Sequence, residues 1–370
     1  MAQNRSSSVL LTFEADRAAW SSAAWTPLTV PDEAAPDATR ILGWCKSSIP
    51  YLPSQQRPLP LQTLDVWVPA RNATSSTAPP EPSSLPVPSC EDQEKVLVWI
   101  VYIHGGAWRD PTIEADSFGP AAKELLKRFT PATSRSSSKN VLAGLASLNY
   151  RLSPHPNHPA PDRPDRNVRH PEHLRDVLTG LSFLQRVIFS STPTENIEFI
   201  LTGHSCGATL SFQSIMSPLT RFSLPPNLSL CKKPMAIVGF NGLYDLAGFI
   251  HKPPKGWEGH VPPYEEFTRG AFGDDERVWR AVCPASAEGD WLGEWLEEKK
   301  GAKVVLGISK QDSLVPREQM VVMRECLERE KEKGRGVEVR VVEGDWGDHD
   351  EVWQSGWGMA GLLGDVVEEL

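Results

Sequence analysis

Gly203-His204-Ser205-Cys206-Gly207 has the residue types and spacing of an activated serine. An apolar run ending in Ile200-Leu201-Thr202 precedes it and Ala208-Thr209-Leu210 follows, which reads as buried strand, tight turn and apolar helix. In that context G-x-S-x-G is a nucleophile elbow: the turn forces the serine into a strained conformation with its hydroxyl exposed. Glycines on either side remove the Cβ atoms that would clash as the chain doubles back. Five residues with two free positions also occur by chance, so the motif gains weight only from its partners. Those partners are a base within reach of the serine, an acid that orients the base, and donors for the oxyanion.

Enzymes with this elbow place their triad in the order serine, acid, histidine. Downstream of Ser205 stand only His251, His260 and His349. The first two fall in a Pro/Gly-rich stretch whose default is surface or lid, whereas His349 follows a strand by one short loop, so His349 is the expected base. Asp312 lies one loop beyond the apolar strand Val304 to Ile308, where a carboxylate can meet a histidine at the end of the next strand. Asp345 and Asp348 are alternatives, and Asp312 could instead be a simple turn or cap residue. Asp345 and Asp348 are so near His349 in the chain that reaching its ring from the correct side is harder, which favours Asp312. For the oxyanion, the backbone N–H of Cys206 at the start of a helix and those of Gly105 and Gly106, in His104-Gly105-Gly106-Ala107, are the expected donors. Each such donor lowers a barrier by about 3 kcal/mol. His104 itself reads as a side chain that braces the loop.

These residues require strands that end together. Residues 61–68, 96–103, 141–150, 235–240, 303–308 and 337–342 are apolar or β-rich runs, and the elbow supplies a further strand. Helical periodicity falls at 114–129, 172–189, 316–333 and from about 350. The alternation predicts an α/β fold with a mostly parallel central sheet and helices on both faces. Residues 1–60 are expected to be a partly ordered N-terminal segment and 61–370 a single domain. A Pro/Ser/Thr-rich insertion at 70–94 has too few apolar anchors to order itself, and 242–295 is less regular.

Composition excludes several classes. The net charge of −9 without a long Lys/Arg block gives no footprint for nucleic acid. The apolar run at 9–13 is too short for a signal peptide and no stretch approaches a membrane span, so a soluble, cytoplasmic protein is expected. Six dispersed cysteines without C-x-x-C spacing indicate neither a zinc site nor a disulfide framework.

His104 to Pro111 (HGGAWRDP), Leu148 to Pro154 (LNYRLSP), His170 to Val177 (HPEHLRDV), Gly203 to Thr209 (GHSCGAT) and Gly239 to Leu246 (GFNGLYDL) together resemble the fungal kynurenine formamidases. These are α/β-hydrolases near the hormone-sensitive-lipase-like esterases, and the resemblance runs from about Leu61 to the C-terminus. It implies hydrolysis of N-formyl-L-kynurenine to L-kynurenine and formate, a step of tryptophan breakdown toward NAD. Ser205, His349 and Asp312 would be the triad, with no metal and no organic cofactor, and a homodimer is compatible with it. Ala107 departs from the HGGG of the wider esterase group. The one-carbon acyl group needs little pocket, so the site must grip an aromatic leaving group; Trp108 and Tyr244 are the expected substrate contacts. A carboxylesterase or arylamidase, and a non-catalytic small-molecule-binding protein, are the rival readings.

Overall fold

Val96–Ile103 carries large apolar side chains toward both faces, and seven of its eight residues are buried. The computed structural model describes residues 14–32, 35–52, 59–70, 80–81, 95–130, 140–188 and 196–370. In it this strand, β4, belongs to a nine-stranded sheet with β1 (Thr26–Asp32), β2 (Ala35–Pro50), β3 (Thr63–Pro69), β5 (Asn140–Leu148), β6 (Ile197–His204), β7 (Ala236–Phe240), β8 (Lys303–Ser309) and β9 (Glu338–Gly344). The order across the sheet is β1-β2-β3-β5-β4-β6-β7-β8-β9. All neighbours from β5 to β9 are parallel, and β1, β2 and β3 join antiparallel at one edge.

Alternate residues of β4 feed two cores. Leu97, Trp99, Val101 and Ile103 pack with Leu178, Leu210 and Met320, from the helices Glu172–Ile188, Cys206–Gln213 and Arg317–Glu332. Val98, Ile100 and Tyr102 pack with Leu125, Leu126 and Leu363, from Gly119–Phe129 and Trp357–Glu369. Each such side chain contributes about 1.5–3 kcal/mol by leaving water. The chain is thus an α/β fold in which helices cover both faces of a mostly parallel sheet. Among the described residues no helix is long and apolar enough to cross a membrane.

The N-terminal segment differs from expectation. β1 and β2 extend the sheet rather than preceding it, and Trp44 and Ile49 are buried in the core. The pattern is hidden because bulges between Lys46 and Ile49, and between Leu28 and Thr29, break the two-residue period. Lys46 is also buried, its ammonium donating to the Trp20 carbonyl and lying 4.8 and 5.0 Å from the rings of Trp20 and Trp25. Of the insertion expected at 70–94, only Ala70, Pro80 and Glu81 are among the described residues.

The stretch 242–295 is also more ordered than its sequence suggests. It forms the helices Leu246–His251, Val261–Phe272, Glu276–Val282 and Gly293–Glu298, an excursion between β7 and β8. Pro262 and Pro263 do not prevent the second helix, because they sit in its first turn, where a missing N–H costs nothing.

β4 has β5 on one side and β6 on the other, so the chain reverses its direction of travel there. The crevice outside the carboxyl ends of the strands at such a switch point is where ligands bind in open α/β sheets. Pairing of Ile103 with Gly203, His204 with Phe240 and Ser309 with Gly344 sets the turns after β4, β6, β8 and β9 along one edge.

Candidate active site

Ser205 has φ 55° and ψ −124°, a region hostile to any residue with a Cβ. Such a conformation costs about 1–3 kcal/mol and persists only where neighbours enforce it. Here its N–H donates to the Phe240 carbonyl at 2.9 Å. A Cβ on Gly203 would sit 2.2 Å from the Gly207 carbonyl carbon, and one on Gly207 would sit 2.1 Å from the Ile103 oxygen. Only glycine lets the helix start so close to both strands. Ser205 holds the N-cap position of Cys206–Gln213, yet its side chain makes no capping bond. The serine instead lines a cavity together with His349.

Asp312 follows β8 and His349 follows β9. His349 Nδ1 donates to Asp312 Oδ2 at 2.8 Å, and the Asp312 side chain is 1% exposed. The other carboxylate oxygen accepts the N–H groups of Leu314 and Val315, each at 2.8 Å. Carrying its proton on Nδ1, the imidazole has its lone pair at Nε2. Neither alternative acid does this. Asp345 is exposed and paired with Lys310 at 3.0 Å. Asp348 accepts from the Ser313 N–H at 2.8 Å and hydroxyl at 3.0 Å, and from the His349 N–H at 2.7 Å, tying the two loops together.

His204, the variable residue before the serine, is a positioning residue that sequence spacing does not reveal. Its Nε2 lies 3.0 Å from the His349 carbonyl, so it donates there, and the two rings pack with centroids 4.5 Å apart. It therefore fixes the histidine loop from below.

The turn after β4 is braced from three directions. His104 stacks on Tyr150 with centroids 4.3 Å apart and donates from Nδ1 to the Gly105 carbonyl at 2.9 Å. The Tyr150 hydroxyl reaches the carbonyls of His104 and Gly105 at 3.1 and 3.2 Å. Cys206 Sγ accepts the Trp108 N–H at 3.3 Å. Burial pushes that thiol up to about 11, which leaves it a protonated packing group. Ala107 and Trp108 both take positive φ, 48° and 59°, beside Gly106 at 96°.

His104, His173 and His204 are each about 1% exposed. Burial lowers His104 to about 4, His173 to about 3 and His204 well below the ordinary imidazole value. An unfolded histidine takes its proton near pH 6.5, and these do not while folded. The unfolded state thus binds more protons below that pH, and stability falls as pH falls, by about 1.4 kcal/mol per pH unit for each histidine. The contribution levels off near pH 4 for His104 and pH 3 for His173. Urea midpoints are expected to drop steadily from pH 6 to pH 4; a flat profile there would refute neutral burial.

The cavity holds about 270 Å³ and is lined by Gly106, Ala107, Ser205 and His349 at its base. Ile113, Leu243, Tyr264, Phe267, Leu314 and Val315 form its apolar wall. Of the expected site residues, Asp312, Cys206, Gly105, Trp108 and Tyr244 are absent from that lining. Trp108 is fully buried against Phe267 and Phe272, with ring centroids at 6.1 and 4.9 Å. Tyr244 is 1% exposed, and its ring packs edge-on against Phe212. Gly105 is pressed against His204 and Ser205, and the next residue, Gly106, faces the cavity. The aromatic lining comes instead from Tyr264 and Phe267, on the helix whose prolines disguise it. His251 pairs with Glu276 outside the cavity, whereas His260 lines it.

No established family profile matches the chain. The kynurenine formamidase-like hydrolase fscH of Fusarium equiseti is 36% identical over 331 residues, 88% of this chain and 95% of the relative. The kynurenine formamidase avaC of Aspergillus versicolor is 35% identical, over 69% of this chain and 84% of its own. Among solved structures, esterase B of Lactobacillus rhamnosis matches with a TM-score of 0.56 at 14% identity, over 100% of this chain and 97% of that one. Carboxyl esterase 2 of Tuber melanosporum gives 0.51 at 14% identity, over 94% and 86%. The two esterases share the fold, and the sequence relatives narrow it: the chain belongs to the kynurenine formamidase-like family of α/β-hydrolases.

Proposed function

We propose that the protein hydrolyses N-formyl-L-kynurenine to L-kynurenine and formate. The observation that carries this reading is the uncommitted Ser205 side chain in the same cavity as His349, whose Nδ1 is held by buried Asp312. Ser205 Oγ attacks the formyl carbon while His349 Nε2 takes its proton. The oxyanion is received by the N–H groups of Gly106 and Cys206, which have no backbone acceptor among the described residues. His349 then returns the proton to the aryl nitrogen, the C–N bond breaks and kynurenine leaves a formyl-serine. Water adds to that ester, giving its proton to His349, and formate departs as the proton returns to Ser205 Oγ.

The cavity suits a substrate with a minimal acyl group and a large aromatic leaving group. The small residues Gly106 and Ala107 line the cavity with Ser205, while Tyr264 and Phe267 offer an aromatic wall. The relatives of Fusarium and Aspergillus support the same chemistry by their names. The test is formate release from N-formylkynurenine by purified protein, set beside p-nitrophenyl acetate. The expected result is a kcat/KM higher for the formamide; a strong preference for the ester would replace this reading with a carboxylesterase.

A further inference from the structure

Arg109 stands two residues beyond the glycine turn's Ala107 and lines the cavity. Its side chain is 14% exposed. It meets Glu266 through one long contact, Nη1 to Oε1 at 3.3 Å, and Glu266 is itself half exposed. A guanidinium has five N–H donors, and among the described residues Arg109 has no second acceptor for the rest. It also lies 5.9 Å from the centroid of Phe267, at the end of the aromatic wall.

His155 lines the same cavity. Its Nδ1 accepts the Asn157 N–H at 3.1 Å, so a neutral ring carries its proton on Nε2 as a second donor. Burial first, then the charges of Arg109 and His158, disfavour its protonation. The acidic groups nearby are Asp110 and Asp350 on the lining and Glu266 beside it. Asp110 already takes the N–H and hydroxyl of Thr112 on one oxygen, at 2.9 and 2.7 Å. This mixture repels a dianion and favours a zwitterion.

We propose that Arg109, with His155 beside it, binds the α-carboxylate of an amino-acid leaving group and so selects carboxylate-bearing formamides over neutral or purely cationic ones. This assignment rests on the formamidase reading for its substrate class, and its binding test does not. N-Formylkynurenine and N-formylkynuramine differ only in the α-carboxylate. In Arg109→Gln the ratio of their kcat/KM values falls about 10- to 100-fold, the range of a charged hydrogen bond, with the loss in KM for the carboxylate substrate. Arg109→Lys, which keeps the charge without the planar fork, gives an intermediate ratio.

Calorimetry with kynurenine and kynuramine supplies a readout independent of turnover. The wild-type protein is expected to bind kynurenine at least tenfold more tightly, and Arg109→Gln to abolish that difference. A ratio unchanged within twofold in Arg109→Gln overturns the assignment, even if both activities fall, because a deformed oxyanion turn would lower both alike. So does equal binding of the two amines by wild type. Kynurenine preference that depends on Arg109 without any formamide cleavage would instead sink the formamidase reading and leave the carboxylate site standing.

Discussion

Ser205→Ala is expected to lower kcat on N-formylkynurenine by about 10⁶-fold, the scale seen when a triad nucleophile is removed. Alanine keeps what holds the turn. The backbone N–H still donates to the Phe240 carbonyl, and Gly203 and Gly207 still permit the close approach. The native hydroxyl makes no capping bond, so its removal costs the helix nothing. Thermal midpoint and kynurenine binding should therefore stay near wild type while turnover disappears. Stopped-flow measurement of the formyl-enzyme burst gives the direct readout, and activity surviving within tenfold would place the nucleophile elsewhere.

Asp312→Asn should cost about 10⁴-fold in kcat, and the hydrogen bonds show why an isosteric change is so severe. One oxygen of Asp312 receives two backbone N–H groups, from Leu314 and Val315. In the asparagine variant that position accepts only the amide oxygen, which turns the NH₂ group toward His349 Nδ1. Nδ1 must then become the acceptor, and the proton moves to Nε2, where the lone pair is needed. Nitrogen chemical shifts of His349 would report the exchanged tautomer. A variant that keeps the Nδ1–H form, or retains activity within tenfold, would remove Asp312 from the orienting role.

The parallel strands are legible in the sequence because burial on both faces leaves uninterrupted apolar runs, as in β4 and β5. The serine turn is legible because its glycines are demanded by contacts under 2.5 Å. Pairing of His349 with Asp312 rather than Asp348 follows in the sequence only from loop position, and hydrogen bonds decide it in the structure. The edge strands escape because bulges destroy their period. The aromatic wall of the cavity escapes for another reason. Aromatic residues next to a motif invite a binding role, yet Trp108 and Tyr244 point into the core, while Tyr264 and Phe267 reach the cavity from a helix that begins in prolines. Tyr150 and His204 give no periodic signal, since their work is done on backbone carbonyls of other loops.

Base and roof of the cavity come from different stretches of chain. Ser205, Asp312 and His349 sit in turns whose positions the sheet dictates, whereas Pro263, Tyr264 and Phe267 belong to the excursion between β7 and β8. That excursion enters and leaves the sheet at adjacent parallel strands, so it can lengthen, shorten or change residues without shifting a strand register. What the cavity accepts can thus be altered from the roof while the turns beneath it keep their places.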